Sequence, residues 1–348
     1  MIVRRRWLAL IFFILPCVGI AEVYDLPPAG DDVVGAITVI QARADDTLIE
    51  IARRHGLGYE DIVRANPHVD TWLPGEGTEV VLPTRYVLPP GERRGLILNL
   101  PEYRLYYFPE PKANGQATVM TFPISIGRMD WETPLGLTSV ISKVSNPAWY
   151  PPASVRAEHA ADGDPLPRIV PPGPNNPLGK YAMRLGLPGY LIHGTNRPAG
   201  VGMRVTHGCI RLFPEDIEFL FGQISVNTPV RIINEPIKIG WNGDELVVEV
   251  HQPLELTPLP ASELAAAMPA SEDSEAVAES IPPAPVVRDQ LTALTEQFVA
   301  ATNMRPGELY WEVAEQLLER ADGVPALAGR RIKDAATSAA SEKVPSSL

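Results

Sequence analysis

Two histidines and a cysteine lie close together in the stretch of residues 191–212. They are His193, His207 and Cys209. A free thiol has a pKa near ~8.5, so at neutral pH only a few per cent is thiolate unless a base or a positive charge stabilises the anion. An imidazole can take the thiol proton, and Arg211 adds positive charge. The pattern therefore predicts a cysteine nucleophile for acyl transfer that is a thiolate near neutral pH.

Two glycines, Gly194 and Gly208, flank these side chains. Glycine permits tight turns, which bring free backbone N–H groups close to a neighbouring side chain. Such groups can stabilise the oxyanion of an acyl-transfer intermediate by about 3 to 4 kcal/mol for each donor. Gly194 and Gly208 are therefore candidate backbone contributors to the site.

Each of these residues also has a structural alternative. An isolated histidine such as His193 is more often a hydrogen-bonded core residue, and Cys209 alone could be a small buried hydrophobe. A zinc site formed by His193, His207 and Cys209 is conceivable, but structural zinc usually takes four ligands and no other cysteine is available near them. We expect neither a metal nor a cofactor.

Net charge argues against one class of function. The chain has 348 residues and a formal net charge of −12. Binding of nucleic acid without regard to sequence needs a basic surface that displaces counterions. We therefore expect no nucleic-acid partner.

Residues 1–21 have the pattern of a cleaved export signal. Three arginines precede an apolar run, which ends in small residues where a peptidase could cut. A membrane anchor is the alternative, but the run is shorter than the ~20 residues of a spanning helix and contains Pro16. The chain has two cysteines, Cys17 and Cys209, and removal of the signal leaves only Cys209. A lone thiol in an oxidising compartment is either inert and buried or reactive.

A small βααβ unit is predicted over residues 36–84. Strand-like residues 37–40 precede a helix that starts at Asp46 and Thr47, a second helix at residues 59–66 and a strand at residues 79–82.

From residue 95 to residue 234 the pattern is mainly β. Strands are predicted at residues 96–100, 104–108, 118–126, 138–144, 190–193 and 230–233, and a helix at residues 214–222. Many short strands with turn signals favour a β-sandwich or barrel-like domain. The proline-rich connection at residues 146–177 is typical of a lid or a binding segment.

The C-terminal part differs in composition. Residues 256–286 are rich in Pro, Ala, Ser and Glu, which predicts a disordered linker. Residues 287–332 are predicted to form a short helical C-terminal region, with helices at about 289–302 and 307–321.

The motif Thr206-His207-Gly208-Cys209-Ile210-Arg211, preceded by His193-Gly194-Thr195, resembles the signature of the L,D-transpeptidase catalytic domain of the YkuD type. Supporting matches are Ile126-Gly127, Thr133-Pro134-Leu135-Gly136 and Pro172-Gly173-Pro174-Asn175-Asn176-Pro177-Leu178-Gly179. The resemblance covers about residues 95–234. Thr206 stands where the family often has serine, a change that keeps the hydroxyl.

This resemblance implies a mechanism. His193 would be the base for Cys209, oriented by the Gly194 carbonyl, with His207 in support and the amides of Gly208 and Cys209 as the oxyanion hole. Thr206 and Arg211 would bind substrate, Arg211 through a carboxylate of the donor. The cysteine would attack the amide between a diamino acid and the terminal D-alanine of a tetrapeptide stem, release D-alanine and keep a thioester. Carbapenem β-lactams should acylate the same thiol.

The unit at residues 36–84 resembles a LysM module through Asp46-Thr47-Leu48, Asn66-Pro67 and Leu73-Pro74-Gly75. Such modules bind glycans that contain N-acetylglucosamine, although Asp45 stands where they usually have glycine. A packing domain that no longer binds sugar is the alternative.

The order of a LysM-like unit followed by the catalytic domain resembles the periplasmic subgroup of Gram-negative bacteria, which implies peptidoglycan as partner. The acceptor amine would be either the C-terminal lysine of a Braun-type outer-membrane lipoprotein or a diamino acid of a second stem.

Two other functions remain open at this stage. A cysteine-dependent carboxypeptidase or amidase would use the same nucleophile and base but transfer the acyl group to water. A non-enzymatic wall-binding protein would use only the LysM-like unit, and the presence of Cys209, His193 and His207 weighs against it.

Overall fold

The computed structural model describes residues 22–111, 115–128, 132–254 and 289–332. The predicted export signal at residues 1–21 and the predicted linker at residues 256–286 lie outside the described residues. No helix within these ranges is long and apolar enough to cross a membrane.

The first unit has the predicted βααβ order. After β1 (Glu22–Asp25), strand β2 (Val33–Gln41) pairs antiparallel with β3 (Glu79–Val87). Helices α1 (Leu48–Arg54) and α2 (Tyr59–Ala65) lie between β2 and β3 in the chain. Both strands are longer than predicted, because their outer ends pair with each other from Val33 to Val87.

A reciprocal cap starts the first helix where the sequence predicts it. The Thr47 hydroxyl accepts a hydrogen bond from the Glu50 amide, and the Glu50 carboxylate accepts one from the Thr47 amide. The two helices cover one face of the hairpin and share with it a small buried core: Leu48, Ile51, Ala52, Leu57, Ile62, Val80 and Leu82.

The second unit is a β domain with two helices. Its strands are β4 (Gly95–Asn99), β5 (Arg104–Phe108), β6 (Thr118–Pro123), β7 (Ile126–Gly127), β8 (Gly136–Ser145), β9 (Tyr181–Leu185), β10 (Leu191–His193), β11 (Arg204–Thr206), β12 (Ile210–Arg211) and β13 (Pro229–Ile233). The helices are α3 (Ala153–Ala161) and α4 (Pro214–Gln223).

One nine-stranded sheet runs in the order β1-β6-β5-β4-β13-β8-β9-β10-β12, and β11 pairs with β7. Its buried core includes residues from the sheet and from α4: Leu96, Leu98, Leu105, Phe122, Ile192, Ile210, Ile217 and Leu220. The mainly β fold class predicted from the sequence is confirmed.

Three strands and one helix of this domain are missing from the sequence prediction. Strand β9 contains Ala, Met, Arg and Leu, which also favour helices, and it forms because it pairs with β8 on one side and β10 on the other. Strands β11 and β12 are too short to show a period. Helix α3 lies inside the connection at residues 146–177, where Pro151 and Pro152 indicate a loop although helix-forming residues follow them.

The third unit combines segments that are far apart in the chain. A hairpin of β14 (Ile237–Asn242) and β15 (Glu245–Val250) is joined by α5 (Gln290–Thr302), β16 (Gly307–Leu309), α6 (Trp311–Arg320) and β17 (Ala326–Arg331). The strands form a sheet in the order β14-β15-β17-β16.

The short helical C-terminal region predicted for residues 287–332 contains strands as well as helices, so that prediction is wrong in part. Both helices are present, but the second begins at Trp311, and β16 and β17 complete a sheet with β15. Strand β17 carries Ala, Gly and Arg, which give no local β signal, so its pairing decides its conformation. The hairpin has a sequence signal that could have found it: Gly243 and Asp244 between two apolar runs.

A buried ion network joins the three units. Lys238 Nζ lies 2.9 Å from Glu102 Oε1 and 2.9 Å from Glu249 Oε1, and it donates to the Val87 carbonyl at 2.7 Å. His251 Nε2 lies 2.6 Å from Glu249 Oε1. Although burial opposes ionisation, the positive charge of Lys238 holds the pKa of Glu102 below its usual value. One lysine on β14 thus neutralises carboxylates from two units while it binds the backbone of the first.

Replacing Lys238 with methionine should destabilise the protein strongly. The variant removes the lysine cation that lies between Glu102 and Glu249, and removal of one partner from a buried pair typically costs about 3–5 kcal/mol. The free energy of unfolding, measured by urea denaturation, should fall by that amount. Arg330→Met is the matched control, because the ion pair of Arg330 with Glu308 is exposed. Equal stability of the two variants would contradict the prediction.

Candidate active site

Two short parallel strands bring His193 and Cys209 together. Strand β10 ends at His193, and β12 begins directly after Cys209, with Ile192 opposite Ile210 and His193 opposite Arg211. If this register is extended by one residue, Cys209 lies level with Leu191. The backbone of Leu191 forms a hydrogen bond that lowers the pKa of the Cys209 thiol. Alternate residues of a strand share a face, so His193 and Cys209 are diagonal neighbours on one face of the sheet.

The nucleophile loop, residues 206–209, is held by hydrogen bonds to its carbonyl groups. The Thr206 hydroxyl donates to the Cys209 carbonyl at 2.6 Å, and the Thr133 hydroxyl donates to the Gly208 carbonyl at 2.9 Å. The Arg128 amide donates to the Thr206 carbonyl at 2.9 Å. Gly208 has a φ of 92°, which favours glycine over any residue with a side chain.

The amides of Gly208 and Cys209 are the predicted oxyanion donors. Within the described part of the chain, neither amide donates to a protein acceptor. The next residue, Ile210, belongs to β12 and pairs with β10. Two adjacent unsatisfied donors beside the thiol suit an oxyanion. The Gly194 amide, in contrast, donates to the Tyr181 carbonyl at 3.1 Å, so Gly194 contributes through its carbonyl instead.

His193 has the orientation expected of a base. Its Nδ1 lies 2.6 Å from the Gly194 carbonyl, which can only accept, so Nδ1 carries the proton and Nε2 is the basic nitrogen of the neutral ring. Burial, and then the charge of Arg211, lower the pKa of His193 to about 3. The ring is therefore neutral at physiological pH.

Cys209 is not a resting thiolate. Burial raises the pKa of its half-buried thiol, and the Leu191 backbone and the Arg211 charge only partly offset this effect. The structure therefore contradicts the expectation of a thiolate near neutral pH and favours a neutral thiol beside a neutral imidazole. The sequence prediction counted the positive charge of Arg211 but not the desolvation of the sulfur.

His207 contacts helix α3 through its Nε2 atom. Its Nε2 is 3.1 Å from Glu158 Oε2 on α3, and Glu158 Oε1 is 2.5 Å from Arg128 Nη2. The hydrogen bond from Arg128, followed by that from His207, lowers the pKa of Glu158 although burial opposes it. Glu158 and Arg128 are absent from the residues predicted for the site, because nothing local in the sequence links them to the cysteine.

Comparisons with known proteins point to one family. Residues 93–232 match the family model described as the L,D-transpeptidase catalytic domain, YkuD. The chain is 42% identical over 260 residues to the probable L,D-transpeptidase YcfS of Escherichia coli, which covers 72% of this chain and 80% of the relative. The probable L,D-transpeptidase YbiS of the same organism is 42% identical over 241 residues, or 68% of this chain and 77% of the relative.

The chain belongs to the L,D-transpeptidase family. A solved relative, the catalytic domain of the L,D-transpeptidase of E. faecium acylated by ertapenem, is 21% identical and covers 42% of this chain and 100% of that chain, with a TM-score of 0.30. The assignment to the family rests on the two relatives from E. coli.

Arg211 of this L,D-transpeptidase has no carboxylate partner among the described residues, and its buried Nε has no hydrogen-bond partner there. Burial, and then the charge of Arg197, lower its pKa. The charge of Arg197 thus acts on Arg211, and the charge of Arg211 acts on the thiol of Cys209. Arg197 was missed by the sequence analysis, although it follows His193 in the same loop.

The proline-rich connection is built around Asn176. The buried Asn176 amide donates to the carbonyls of Pro147 at 2.8 Å and Pro171 at 3.1 Å, and its oxygen accepts from the Leu178 amide at 2.9 Å. Next in the chain, Gly179 packs so closely that a Cβ there would lie 2.9 Å from the Thr195 nitrogen. This accounts for the Asn176 to Gly179 part of the motif: it holds the segment that carries α3 against the His193 strand.

Thr206 was predicted to bind substrate, but its buried hydroxyl is already used by the Cys209 carbonyl, which supports a positioning role. Thr206→Val should leave that carbonyl without its donor and lower the free energy of unfolding by about 1–3 kcal/mol. Urea denaturation measures the change. Thr206→Ser keeps the hydroxyl and should stay close to the parent; a valine variant as stable as the serine variant would contradict the role.

The neutral thiol predicts a pH profile for alkylation of Cys209 by iodoacetamide. Only thiolate reacts, and the pKa of the thiol is raised, so the rate should still be rising at pH 9. His193, with a pKa of about 3, stays neutral across this range and adds no second step. The protein that starts at Glu22 is the sample, with Cys209→Ser as the control for zero reaction. A rate that levels off below pH 8 would show a thiolate at neutral pH.

Proposed function

We propose that the protein uses Cys209 to transfer the acyl group of a peptidoglycan tetrapeptide stem to an amine. Membership of the L,D-transpeptidase family supports peptidoglycan as the substrate class. The observation that carries the mechanism is the contact of His193 Nδ1 with the Gly194 carbonyl, because it leaves Nε2 as the basic nitrogen on the face of the sheet that carries Cys209.

In the first half-reaction, His193 Nε2 takes the thiol proton as the sulfur attacks the carbonyl carbon between the diamino acid and D-alanine. The amides of Gly208 and Cys209 hold the oxyanion of the tetrahedral intermediate. The imidazolium then gives its proton to the departing amine, so D-alanine leaves and a thioester remains on Cys209. A base with a low pKa gives up this proton readily.

In the second half-reaction, an acceptor amine attacks the thioester and His193 takes its proton. The sulfur leaves and is protonated again by the imidazolium, which restores the starting enzyme. The acceptor is either the C-terminal lysine of an outer-membrane lipoprotein or the diamino acid of a second stem. Transfer to water would make the protein a carboxypeptidase instead.

Arg211 binds a carboxylate of the donor stem in this proposal. Its guanidinium has no carboxylate partner among the described residues and lies opposite His193 on the next strand. Arg197 adds a second positive charge beside it. A stem that ends in D-alanine supplies the matching negative charge.

The LysM-like unit binds glycan in this proposal, and the protein works in the periplasm after removal of residues 1–21. The loop between α2 and β3 presents Trp72 and Leu73, which are 63% and 78% exposed. An exposed indole is a suitable stacking surface for a sugar ring. Binding of the unit to glycan strands would bring the catalytic domain close to its stem peptides.

The decisive experiment incubates the mature protein with a disaccharide-tetrapeptide, alone and with a lysine-ended peptide, and follows the products by mass spectrometry. Loss of D-alanine with formation of a dimer or a peptide conjugate is the expected result, and it identifies the acceptor. Cys209→Ala should reduce this reaction by more than about a thousandfold, because it removes the nucleophile. Release of D-alanine to water alone would instead establish a carboxypeptidase.

A further inference from the structure

Arg128, Glu158 and His207 close a ring of hydrogen bonds around the nucleophile loop. The Arg128 amide binds the Thr206 carbonyl at 2.9 Å, and the Arg128 side chain binds Glu158 at 2.5 Å. Glu158 in turn binds His207, the residue after Thr206, at 3.1 Å. The ring therefore connects three separate parts of the chain: the end of β7, helix α3 and the loop that carries Cys209.

This ring contributes little to stability by itself. The side chains of Arg128, Glu158 and His207 are 34%, 31% and 28% exposed. Ion pairs with this much solvent contact are screened by water and salt. What the ring does determine is geometry, because it sets the direction of the His207 ring and thereby the backbone that leads into Gly208.

The two histidines carry their protons on different ring nitrogens. Glu158 is ionised and can only accept, so the Nε2 of His207 carries a proton, whereas His193 carries its proton on Nδ1. The Nε2 of His207 is thus occupied by α3 and cannot act as the base for Cys209. The contact between His207 and Glu158 therefore positions the loop and takes no part in the proton transfer.

The contact between Glu158 and His207 is one of several that hold the loop of residues 206–209. Thr206 and Thr133 hold the carbonyls of Cys209 and Gly208. The Glu158 contact holds the side chain of the remaining residue, His207. With these contacts in place, the amides of Gly208 and Cys209 donate to no protein acceptor among the described residues.

We propose that Glu158 is a positioning residue for the acylation of Cys209. Through His207 it holds the Gly208 and Cys209 amides in the direction that receives the oxyanion, and it makes this geometry depend on the seating of helix α3. The role rests on the acyl-transfer function proposed above. A displacement of about 1 Å in such donors can slow a reaction about 100-fold.

The test compares acylation of Glu158→Gln and of the parent by ertapenem, followed by intact mass over time. Glutamine keeps the size of the side chain and removes the charge that orients both partners. The acylation rate constant at saturating ertapenem should fall about 10- to 100-fold, while the half-saturating concentration and the thermal midpoint stay close to the parent values. Glu308→Gln is the matched control, because it breaks a carboxylate–arginine pair in the third unit.

A double variant tests whether Glu158 acts through His207. Glu158→Gln combined with His207→Gln should be no slower than His207→Gln alone, since both changes break the same contact. Losses that multiply would overturn the proposal. Acylation of Glu158→Gln at the same rate as a normally reacting parent would also overturn the proposal.

A measurement that needs no reaction keeps this inference separate from the proposed function. In ¹⁵N-histidine spectra, the Nε2 signal of His207 should move in Glu158→Gln and stay unchanged in Glu308→Gln. A parent that ertapenem does not acylate, with this shift present, would count against acyl transfer and not against the ring. An unchanged His207 signal would refute the positioning role whatever the enzyme does.

Discussion

The parallel pairing of β10 with β12 is the constraint on which the site depends. These strands have three and two residues, too few to be stable in isolation. Ile192 and Ile210, which face each other across the pair, are fully buried in the core with Ile217 and Leu220 of α4. The hydrophobic core therefore sets the register, and the register places the imidazole of His193 and the thiol of Cys209 on one face at neighbouring positions.

Burial of this pair has an electrostatic consequence. The same desolvation raises the pKa of Cys209 and lowers that of His193, so the resting site holds two neutral groups. In the proposed mechanism, charge separates only as the sulfur attacks, and at that moment the amides of Gly208 and Cys209 can stabilise the oxyanion. Interactions that act only in the transition state lower the barrier without tightening the binding of the substrate.

The first unit also contacts the chain between His193 and Cys209. The amides of Tyr59 and Glu60, at the start of α2, donate to the carbonyls of Val201 and Gly202 at 2.9 and 3.3 Å. Gly58 and Gly202 approach so closely that a Cβ on either would clash with the other's backbone. Together with the buried network at Lys238, these contacts make the first unit and the C-terminal unit part of the support of the β domain.

The sequence alone was enough to predict the βααβ unit and the mainly β domain, and it singled out Cys209, His193 and His207 as candidates for the site. Each of these has a local sequence signal, such as a motif, an alternating strand pattern or a helix cap like that of Thr47. Strands β9, β12 and β17 have no such sequence signal, because their conformation depends on pairing with strands from elsewhere in the chain.

The tertiary structure alone decided the protonation of the site and the contacts of His207. Desolvation of Cys209 depends on how the whole domain packs around the sulfur. Glu158 reaches His207 only when α3 lies beside the loop that carries Cys209. A sequence shows which groups are present, but the solvent around them and their partners from distant segments are determined by the folded chain.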